Sequence, residues 1–323
     1  MRLKKIKIGL VGCGSWGQNL ARNCHNLGIL YSVTDINEKN ALNFSKKFGC
    51  KSINLQNVFM DKNIDGIIIS TPGFSHYEIA LKAIKEKKHV FIEKPMTLSL
   101  KDSIFLEKLA NKNGVQIMVG HLIRYHPAFI KLLEIINSGI IGKIKHIQAN
   151  RIAFGRILNC ESVLFDLCPH DLSLILSITK MLPKNISGFG ICHTNKAIID
   201  IISAGFSFKT GITASINTSW ISPVKEHKFI VTGSLGSLEF DDTKPWSRKL
   251  IFYEDIIKTS SNKVLTERKN QKFISINKKE PLKEEMLHFI NVCKNNIPAI
   301  TNGAEGILVQ KVLEEMSKKL IYI

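Results

Sequence analysis

One short segment, FDLCPHD, carries side chains suited to moving a proton. Asp166 and His170 are four residues apart, so a continuous helix would place them on one face. Imidazole titrates near neutral pH, which suits a general base. Pro169 disfavours a helix interior, so the helix either kinks or begins with Pro169 in its first turn. Asp166 or Asp171 could orient the ring, and a purely structural histidine is the competing interpretation.

Lys94 is a second candidate for chemistry, and it follows an apolar strand. The segment HVFIEKP places Glu93 and Lys94 directly after Ile92, and Pro95 fixes the turn, with a cis bond as one way to do so. A lysine ammonium at such a strand end could hydrogen-bond a substrate hydroxyl and favour its alkoxide character. A solvated surface charge is the alternative interpretation, because lysines abound in this chain.

A glycine-rich loop near the N-terminus is typical of a dinucleotide-binding site. Gly12, Gly14 and Gly17 form GxGxxG between an apolar run and a helical segment. The first glycine permits a tight turn, the second permits close approach of a pyrophosphate, and the third permits close packing of the helix on the sheet. Asp35 follows Gly17 by 18 residues at a strand end, where it would bind ribose hydroxyls and repel a 2′-phosphate. No arginine follows in DINEKN, so we expect NAD rather than NADP.

Further cofactor contacts are expected where parallel strands end, because those ends face the ligand crevice of such a sheet. His76 is expected near the cofactor at a helix N-terminus, without a catalytic role. The complete predicted set is Gly12, Cys13, Gly14, Ser15, Trp16, Gly17, Asp35, Thr71, Pro72, His76, Glu93 and Lys94.

The order of strands and helices predicts two domains that position these residues. Up to residue 120, apolar runs alternate with helical segments, which predicts an α/β domain with a doubly wound parallel sheet over residues 1–121. Alternating segments such as Thr213–Asn217 then predict an α+β domain with a large, mostly antiparallel open sheet over residues 122–323. We expect the polar segment Lys258–Asn270 to be a loop and the last helix to pack near the first domain.

The composition argues against several other classes of protein. The chain has 323 residues, 44% hydrophobic and 22% charged, which is typical of a soluble two-domain protein. No apolar run approaches the roughly 18 residues of a membrane span. Seven cysteines without a CxxC pair favour a reducing, cytoplasmic setting and no metal site. The net charge of +18 comes mostly from scattered lysines, whereas nucleic-acid recognition favours arginine, so we expect neither a nucleic-acid nor a membrane partner.

These motifs together resemble the Gfo/Idh/MocA oxidoreductase family over essentially the full chain. The matching segments are VGCGSWG, STPGFSHYEIAL, FIEKPMTLS, GHLIRYHPAF and FDLCPHDLSLI. The resemblance implies an N-terminal Rossmann domain, a C-terminal substrate and oligomerisation domain, and NAD(P)-dependent hydride transfer on a sugar or cyclitol hydroxyl. It also implies catalytic roles for Lys94, Asp166 and His170.

Within the family, the chain resembles enzymes of surface-polysaccharide biosynthesis. Those enzymes are similar to dehydrogenases that oxidise the 3-hydroxyl of UDP-N-acetylglucosamine or its uronate ahead of a transaminase. The segments that carry this likeness include GCGSWGQNLARN, ESVLFDLCPHDLSLI and TSWISPVKEHKFIVTGSLGSLEF. Many relatives have Gly-Gly before the catalytic aspartate where this chain has residues 162–165, Ser-Val-Leu-Phe, which leaves the substrate open. Because arginine forks suit phosphate, the expected substrate contacts are Arg124, Tyr125, Arg151 and Arg156.

Two other functions stay open at this point. One is a dehydrogenase of a free sugar or inositol, and the other is an NAD-binding regulator without catalysis, which would not need Lys94 or His170. We also expect a homodimer or homotetramer, because an exposed sheet face in the second domain would need covering.

Overall fold

The structure, a computed structural model, describes residues 5–155, 157, 161–194, 198–260, 263–267 and 269–322. Its strands are β1 (Ile8–Val11), β2 (Leu30–Thr34), β3 (Lys51–Ser52), β4 (Gly66–Ile69), β5 (His89–Ile92), β6 (Ile117–Val119), β7 (Ile144–Phe154), β8 (Asn185–Ile191), β9 (Ile201–Ser207), β10 (Thr213–Ser219), β11 (Ile221–Gly233), β12 (Ser237–Asp241), β13 (Leu250–Tyr253), β14 (Ile256–Ser260), β15 (Lys263–Glu267), β16 (Gln271–Phe273) and β17 (Ile321–Tyr322). Its α-helices are α1 (Ser15–Asn26), α2 (Glu38–Phe48), α3 (Leu55–Met60), α4 (His76–Lys85), α5 (Leu100–Asn113), α6 (Pro127–Asn137), α7 (Val163–Asp166), α8 (Cys168–Thr179), α9 (Pro281–Asn295) and α10 (Gly303–Lys319).

The chain divides into two compact units. The first is Met1–Leu122 with Glu280–Gln310, and the second is Ile123–Lys279 with Lys311–Ile323. The first break therefore falls one residue later than the predicted one.

The first unit is built on a parallel sheet in the order β3-β2-β1-β4-β5-β6. The direction of strand addition reverses between β1 and β4, as in a doubly wound sheet, and ligands bind such sheets at the strand ends next to this point. The strands are continuous apolar runs because both faces of the sheet are covered, and Ile8, Leu10 and Ile68 are completely buried. The predicted doubly wound sheet is confirmed.

The segment Glu280–Gln310 corrects the predicted division of the chain, which assigned all of residues 122–323 to the second domain. It belongs to the first unit, where α9 packs on α1 and β5. The apolar face of α9 is the physical reason, since Met286 and Phe289 are completely buried. The ring of Phe289 makes an edge contact with Phe91 of β5 at 5.7 Å between centroids.

The second unit is built on a large sheet in the order β16-β13-β12-β11-β7-β10-β9-β8-β17. Two of its pairs are parallel, β7 with β10 and β8 with β17, and the other pairs are antiparallel. Helix α8 packs on β7 and β10. On β7 the side chains of Ile147, Ala149 and Arg151 are buried, while the residues between them are partly exposed. The predicted large, mostly antiparallel sheet is confirmed.

The prediction of a loop over Lys258–Asn270 is wrong for most of that segment. Strands β14 and β15 pair as an antiparallel hairpin there. The β-branched residues Thr259, Val264 and Thr266 favour strands despite the polarity of the sequence.

The described part of the chain lacks two features, a membrane-spanning helix and a metal-binding cluster. None of its helices combines the length and the apolar character needed to cross a bilayer. It also contains no group of three or more His, Cys, Asp or Glu side chains arranged to bind a metal ion.

Candidate active site

The glycine loop lies between β1 and α1, where the sheet reverses its direction. Gly12 has a φ of +101°, and a Cβ there would lie 2.8 Å from the backbone of Ser70. A Cβ on Gly17 would lie 2.2 Å from the carbonyl oxygen of Gly12, so only glycine lets α1 pack this close to the loop. Gly14 differs, because a Cβ there meets no atom within 4 Å. Packing therefore requires the first and third glycines, whereas the second faces open space.

The start of α1 and the end of β2 supply groups that fit a dinucleotide. Gly14 is the N-cap of α1 and provides no side-chain cap, so the first backbone amides of the helix can bind a phosphate. The two carboxylate oxygens of Asp35 accept hydrogen bonds from the backbone N–H groups of Cys13 at 2.6 Å and Asn37 at 2.8 Å. An ionised carboxylate has about four acceptor sites, so these bonds orient Asp35 and leave capacity for ribose hydroxyls.

A cavity of ≈ 850 Å³ in the first unit joins these groups. Its volume is within the range of small-molecule and cofactor sites, roughly 300–1,000 Å³. Of the predicted cofactor contacts, it is lined by Gly12, Gly14, Asp35, Thr71 and Pro72. The remaining predicted contacts are not in its lining: Cys13, Ser15, Trp16, Gly17, His76, Glu93 and Lys94. The residues around the cavity therefore fit the phosphate and adenosine groups of a dinucleotide.

The glycine loop gives a prediction that separates packing from binding. Gly17→Ala is expected to lower the melting temperature, although Ala in place of Gly inside a helix ordinarily stabilises by about 1 kcal/mol. Gly14→Ala is expected to fold normally and to weaken NAD binding by about tenfold, which is 1.4 kcal/mol, because its methyl group would occupy space needed by the pyrophosphate. Calorimetric titration with NAD and thermal melting measure the two effects.

The matched control for this pair is Gly155→Ala. Gly155 also faces open space, but it lies in the second unit, so both NAD affinity and melting temperature are expected to be unchanged. Unaltered NAD affinity in Gly14→Ala would show that the pyrophosphate does not approach the loop at this residue.

The element Glu93-Lys94-Pro95 follows β5, and the Lys94–Pro95 peptide bond is cis. Lys94 is partly exposed, whereas Glu93 is buried. The Glu93 carboxylate accepts a hydrogen bond from the indole N–H of Trp16 at 2.5 Å and another from the backbone N–H of Lys94 at 3.3 Å. Burial raises the pKa of Glu93, against the hydrogen bond from Trp16 and the charge of Lys94, which lower it. Glu93 thus binds protein groups rather than lining the cavity.

His76 was predicted to contact the cofactor, and the structure gives its ring a different environment. The side chain is buried, with Nε2 2.8 Å from the carbonyl oxygen of Thr71 and Nδ1 2.8 Å from that of Pro95. Both ring nitrogens therefore face backbone groups of two strand ends. His76 thus links these two elements, and its contact with the cofactor stays a prediction.

Sequence reasoning missed two acidic residues of the C-terminal helices, Glu285 of α9 and Glu305 of α10. His121 follows β6, and its Nδ1 lies 2.6 Å from a carboxylate oxygen of Glu305. Glu285 of α9 is completely buried, and neither of its carboxylate oxygens has a hydrogen-bond partner among the described residues. Burial raises the pKa of Glu285 well above its usual range, and the nearby charge of Glu93 raises it further. The expected packing of the last helix near the first domain was the only sequence signal for the contact between His121 and Glu305.

In the second unit, Asp166 and His170 lie on two successive helices rather than on one. Asp166 ends α7, and α8 begins at Cys168 with Pro169 in its first turn, which is the second of the two predicted arrangements. Asp166 accepts a hydrogen bond from the indole N–H of Trp220 at 3.0 Å. The backbone N–H of His170 donates to the carbonyl oxygen of Leu167 at 3.2 Å.

Arg151 was predicted to bind a substrate diphosphate, and the structure places its side chain in a buried ion pair. Its guanidinium is buried and donates to both carboxylate oxygens of Asp171, from Nε at 3.1 Å and from Nη2 at 2.8 Å. His227 lies opposite Arg151 in the β7–β11 ladder, and burial together with the charge of Arg151 lowers the pKa of His227 to about 4. Arg151 therefore anchors α8 to the sheet through Asp171.

The other predicted substrate contacts have different positions. Arg124 and Tyr125 lie in the short 3-10 turn Leu122–Tyr125, where Arg124 is partly exposed and Tyr125 is buried. Arg156 lies outside the residues that the structure describes.

A doubly wound sheet with a glycine loop and an acidic strand end, followed by a large mixed sheet, defines a two-domain dinucleotide-dependent oxidoreductase. Two family models match the chain accordingly. Residues 6–121 match the oxidoreductase family with an NAD-binding Rossmann fold, and residues 129–239 match the GFO/IDH/MocA C-terminal domain. The protein belongs to the Gfo/Idh/MocA family of oxidoreductases, and its cofactor is NAD.

Several known proteins are similar to this chain. The 2,7-anhydro-N-acetylneuraminate hydratase of Escherichia coli K12 is 27% identical over 73% of this chain and 68% of its own length. The UDP-N-acetylglucosamine 3-dehydrogenase of Acidithiobacillus ferrooxidans is 25% identical over 73% of this chain and 74% of its own. The solved structure of UDP-N-acetylglucosamine 3-dehydrogenase GnnA from Acidithiobacillus ferrooxidans superposes with a TM-score of 0.84 at 21% identity, over 98% of this chain and 97% of that one.

Proposed function

We propose that the protein is an NAD-dependent dehydrogenase that oxidises a secondary hydroxyl of a nucleotide sugar, at C3 of UDP-N-acetylglucosamine or its uronate. The observation that carries the redox assignment is the cavity at the glycine loop, where the open side of Gly14 and the oriented carboxylate of Asp35 fit NAD. The nucleotide-sugar assignment is supported by the similarity to UDP-N-acetylglucosamine 3-dehydrogenase. The place of the enzyme in surface-polysaccharide biosynthesis is part of the same proposal.

The proposed chemistry uses three side chains of this chain. Bound NAD supplies the hydride acceptor. His170 takes the proton of the substrate hydroxyl while the carbon of that group loses its hydrogen as hydride and becomes a carbonyl carbon. Lys94 donates a hydrogen bond to the hydroxyl oxygen and stabilises the negative charge that develops on it. Asp166, held by the indole N–H of Trp220, is the acidic partner of His170 in this proposal.

The substrate phosphate contacts in this proposal are fewer than the sequence predicted. Arg124 and Tyr125 stay as candidates, and Arg156 is retained on the sequence alone. Arg151 is left out, because a diphosphate would have to displace Asp171 from a buried ion pair.

The preference for NAD over NADP gives a direct prediction. Ile36 follows Asp35, lines the cavity and is fully exposed, so Ile36→Arg would place a guanidinium beside the ribose without removing Asp35. The ratio of kcat/KM for NADP to that for NAD is expected to rise by about tenfold to a hundredfold, the value of a hydrogen bond to a charged group. Ile36→Gln, similar in size and uncharged, is the matched control and is expected to leave the ratio unchanged. An equal change in the kcat/KM ratio in both variants would show that the charge at residue 36 does not act on the ribose 2′ position.

The experiment that tests the proposed function is NADH formation, followed by absorbance, with the full-length protein and a substrate panel. The panel contains UDP-N-acetylglucosamine, its uronate, N-acetylglucosamine, glucose and myo-inositol. Turnover that requires the UDP group is the expected result. Turnover of myo-inositol or a free sugar alone would keep the chemistry and overturn the substrate, and NAD binding with no turnover would favour the regulator.

The first of the relatives named above favours a second candidate function, because it is a hydratase. Hydration changes the substrate mass by one water and leaves no net reduced NAD. Adding 2,7-anhydro-N-acetylneuraminate to the panel and analysing products by mass spectrometry tests it. Conversion of this compound without NADH accumulation would replace the dehydrogenase proposal.

A homodimer or homotetramer is also part of the proposal. The face of the large sheet opposite α8 carries partly exposed side chains, including Gln148 and Asn150 of β7, and a second copy could cover it. Light scattering coupled to size-exclusion chromatography gives the mass that tests this. A monomer at micromolar concentration would contradict it.

A further inference from the structure

Lys94 lies between two residues that are each bonded to a side chain from another element of the first unit. On one side, the Glu93 carboxylate accepts from Trp16, which belongs to α1. On the other side, the Pro95 carbonyl faces the ring of His76, which begins α4. Both side chains start from the elements that surround the cofactor cavity, the glycine loop and the end of β4.

On the Trp16 side, two hydrogen bonds hold the Glu93 carboxylate. One oxygen accepts from the indole N–H at 2.5 Å, and the other accepts from the backbone N–H of Lys94 at 3.3 Å. The end of the neighbouring strand is also close, since a Cβ on Gly120 would lie 2.9 Å from a carboxylate oxygen of Glu93. Loss of the indole N–H would leave Oε1 of Glu93 without this hydrogen-bond donor. Because Glu93 is buried, water could not easily take the place of the indole.

The His76 side joins two strand ends through one buried ring. Each ring nitrogen lies 2.8 Å from a carbonyl oxygen, of Thr71 after β4 and of Pro95 after β5. Carbonyl oxygens only accept, so the ring donates to one of them as neutral imidazole and to both as imidazolium. In either state the ring determines how far the peptide after Lys94 lies from the end of β4.

We propose that Trp16 and His76 are positioning residues that fix the Lys94 ammonium relative to the bound cofactor. This inference rests on the proposed function, in which Lys94 acts on the substrate hydroxyl. The cofactor site and Lys94 are then coupled, because residues in the first turns of α1 and α4 set the position of Lys94. Misplacement of a reacting group by about 1 Å can cost on the order of 10² in rate.

The test combines single replacements with a background that lacks the lysine. Trp16→Phe and His76→Gln are each expected to lower kcat by about tenfold to a hundredfold, and to affect NAD affinity less than kcat, because neither side chain lines the cavity. In Lys94→Ala protein, neither replacement is expected to lower the remaining kcat further, because the group that they position is absent. His76→Leu is expected to be more severe than His76→Gln, which keeps an N–H donor. An equal fold-loss in both backgrounds would show a merely structural role and overturn the inference.

The matched controls are Trp246→Phe and His25→Gln. Trp246 lies in the second unit, and His25 is an exposed residue of α1, so neither change is expected to alter kcat or its dependence on Lys94. Thermal melting of every variant identifies loss of folded protein. If Trp16→Phe unfolds, the two His76 variants still give the test.

A second measurement does not need the substrate. The NAD-bound protein is treated with a limiting amount of acetic anhydride, which acetylates lysine amines. The rate of acetylation of Lys94 is measured by peptide mass spectrometry. Trp16→Phe and His76→Gln are expected to change this rate by at least about threefold, since the environment of a lysine sets its reactivity, while the rates of exposed lysines stay the same. A changed rate without turnover of any sugar keeps the positioning inference and overturns the proposed function. An unchanged rate in both variants overturns the inference itself.

Discussion

Replacing His170 by alanine is expected to lower kcat by about 10²–10⁴-fold, the usual contribution of a general base. In the proposed reaction His170 takes the hydroxyl proton as the carbonyl forms, so its loss slows the chemical step. NAD affinity is expected to be unchanged, because the cavity that fits the cofactor lies in the first unit and His170 lies in the second. Steady-state kinetics with the sugar identified by the panel, together with NAD titration, measure both quantities.

Chemical rescue distinguishes a base from a structural histidine at this position. Added imidazole is expected to restore part of the activity of His170→Ala and none of that of Lys94→Ala, whereas small alkylamines are expected to do the reverse. His25→Gln is the matched control for loss of an imidazole. A lowered melting temperature with no rescue would mean that His170 is structural.

Replacing Asp171 by alanine is expected to lower the free energy of unfolding by about 3–5 kcal/mol, the cost of leaving one member of a buried ion pair alone. The Arg151 guanidinium would stay buried next to β11 without its partner. Since α8 carries both Asp171 and His170, kcat is expected to fall in this variant as well. Urea-induced unfolding of the full-length protein gives the stability.

The control for this replacement removes both charges together. Arg151→Met combined with Asp171→Leu is expected to recover most of the lost stability, because apolar residues of similar volume can replace a buried pair. A loss below about 1 kcal/mol in Asp171→Ala would match an exposed pair and would contradict the anchoring role.

The local features of the site could be predicted from the sequence because their geometry is local. Gly12 and Gly17 are required by a turn and a helix within a few residues of each other, and Asp35 follows the next strand directly. The start of α8 at Cys168, with Pro169 in its first turn, was one of two predicted arrangements, since a helix interior disfavours proline.

Arg151 shows a signal that sequence reasoning could have used. It shares a face of β7 with Ile147 and Ala149, and alternation along a strand would have placed all three on the buried side. The buried partner Asp171 was considered only as a group that orients His170. A buried arginine needs a carboxylate, so these two observations together predict the ion pair.

The contacts that join distant parts of the chain could not be predicted in this way. His121 and Glu305 are 184 residues apart, and Trp16 and Glu93 are 77 apart. Such pairs depend on the order of strands in the sheet and on the return of the C-terminal helices, which no local pattern specifies. Long-range packing of this kind is also the reason that Glu280–Gln310 belongs to the first unit.

Deuterium transfer from the sugar is the measurement we would make first. UDP-N-acetylglucosamine carrying deuterium at C3 is incubated with NAD and the protein, and the reduced cofactor is analysed by mass spectrometry. Deuterium in the reduced cofactor, with a 3-keto nucleotide sugar as the other product, is the expected result. Unlabelled reduced cofactor would place the oxidation at another carbon, and no reduced cofactor at all would contradict a dehydrogenase acting on this sugar.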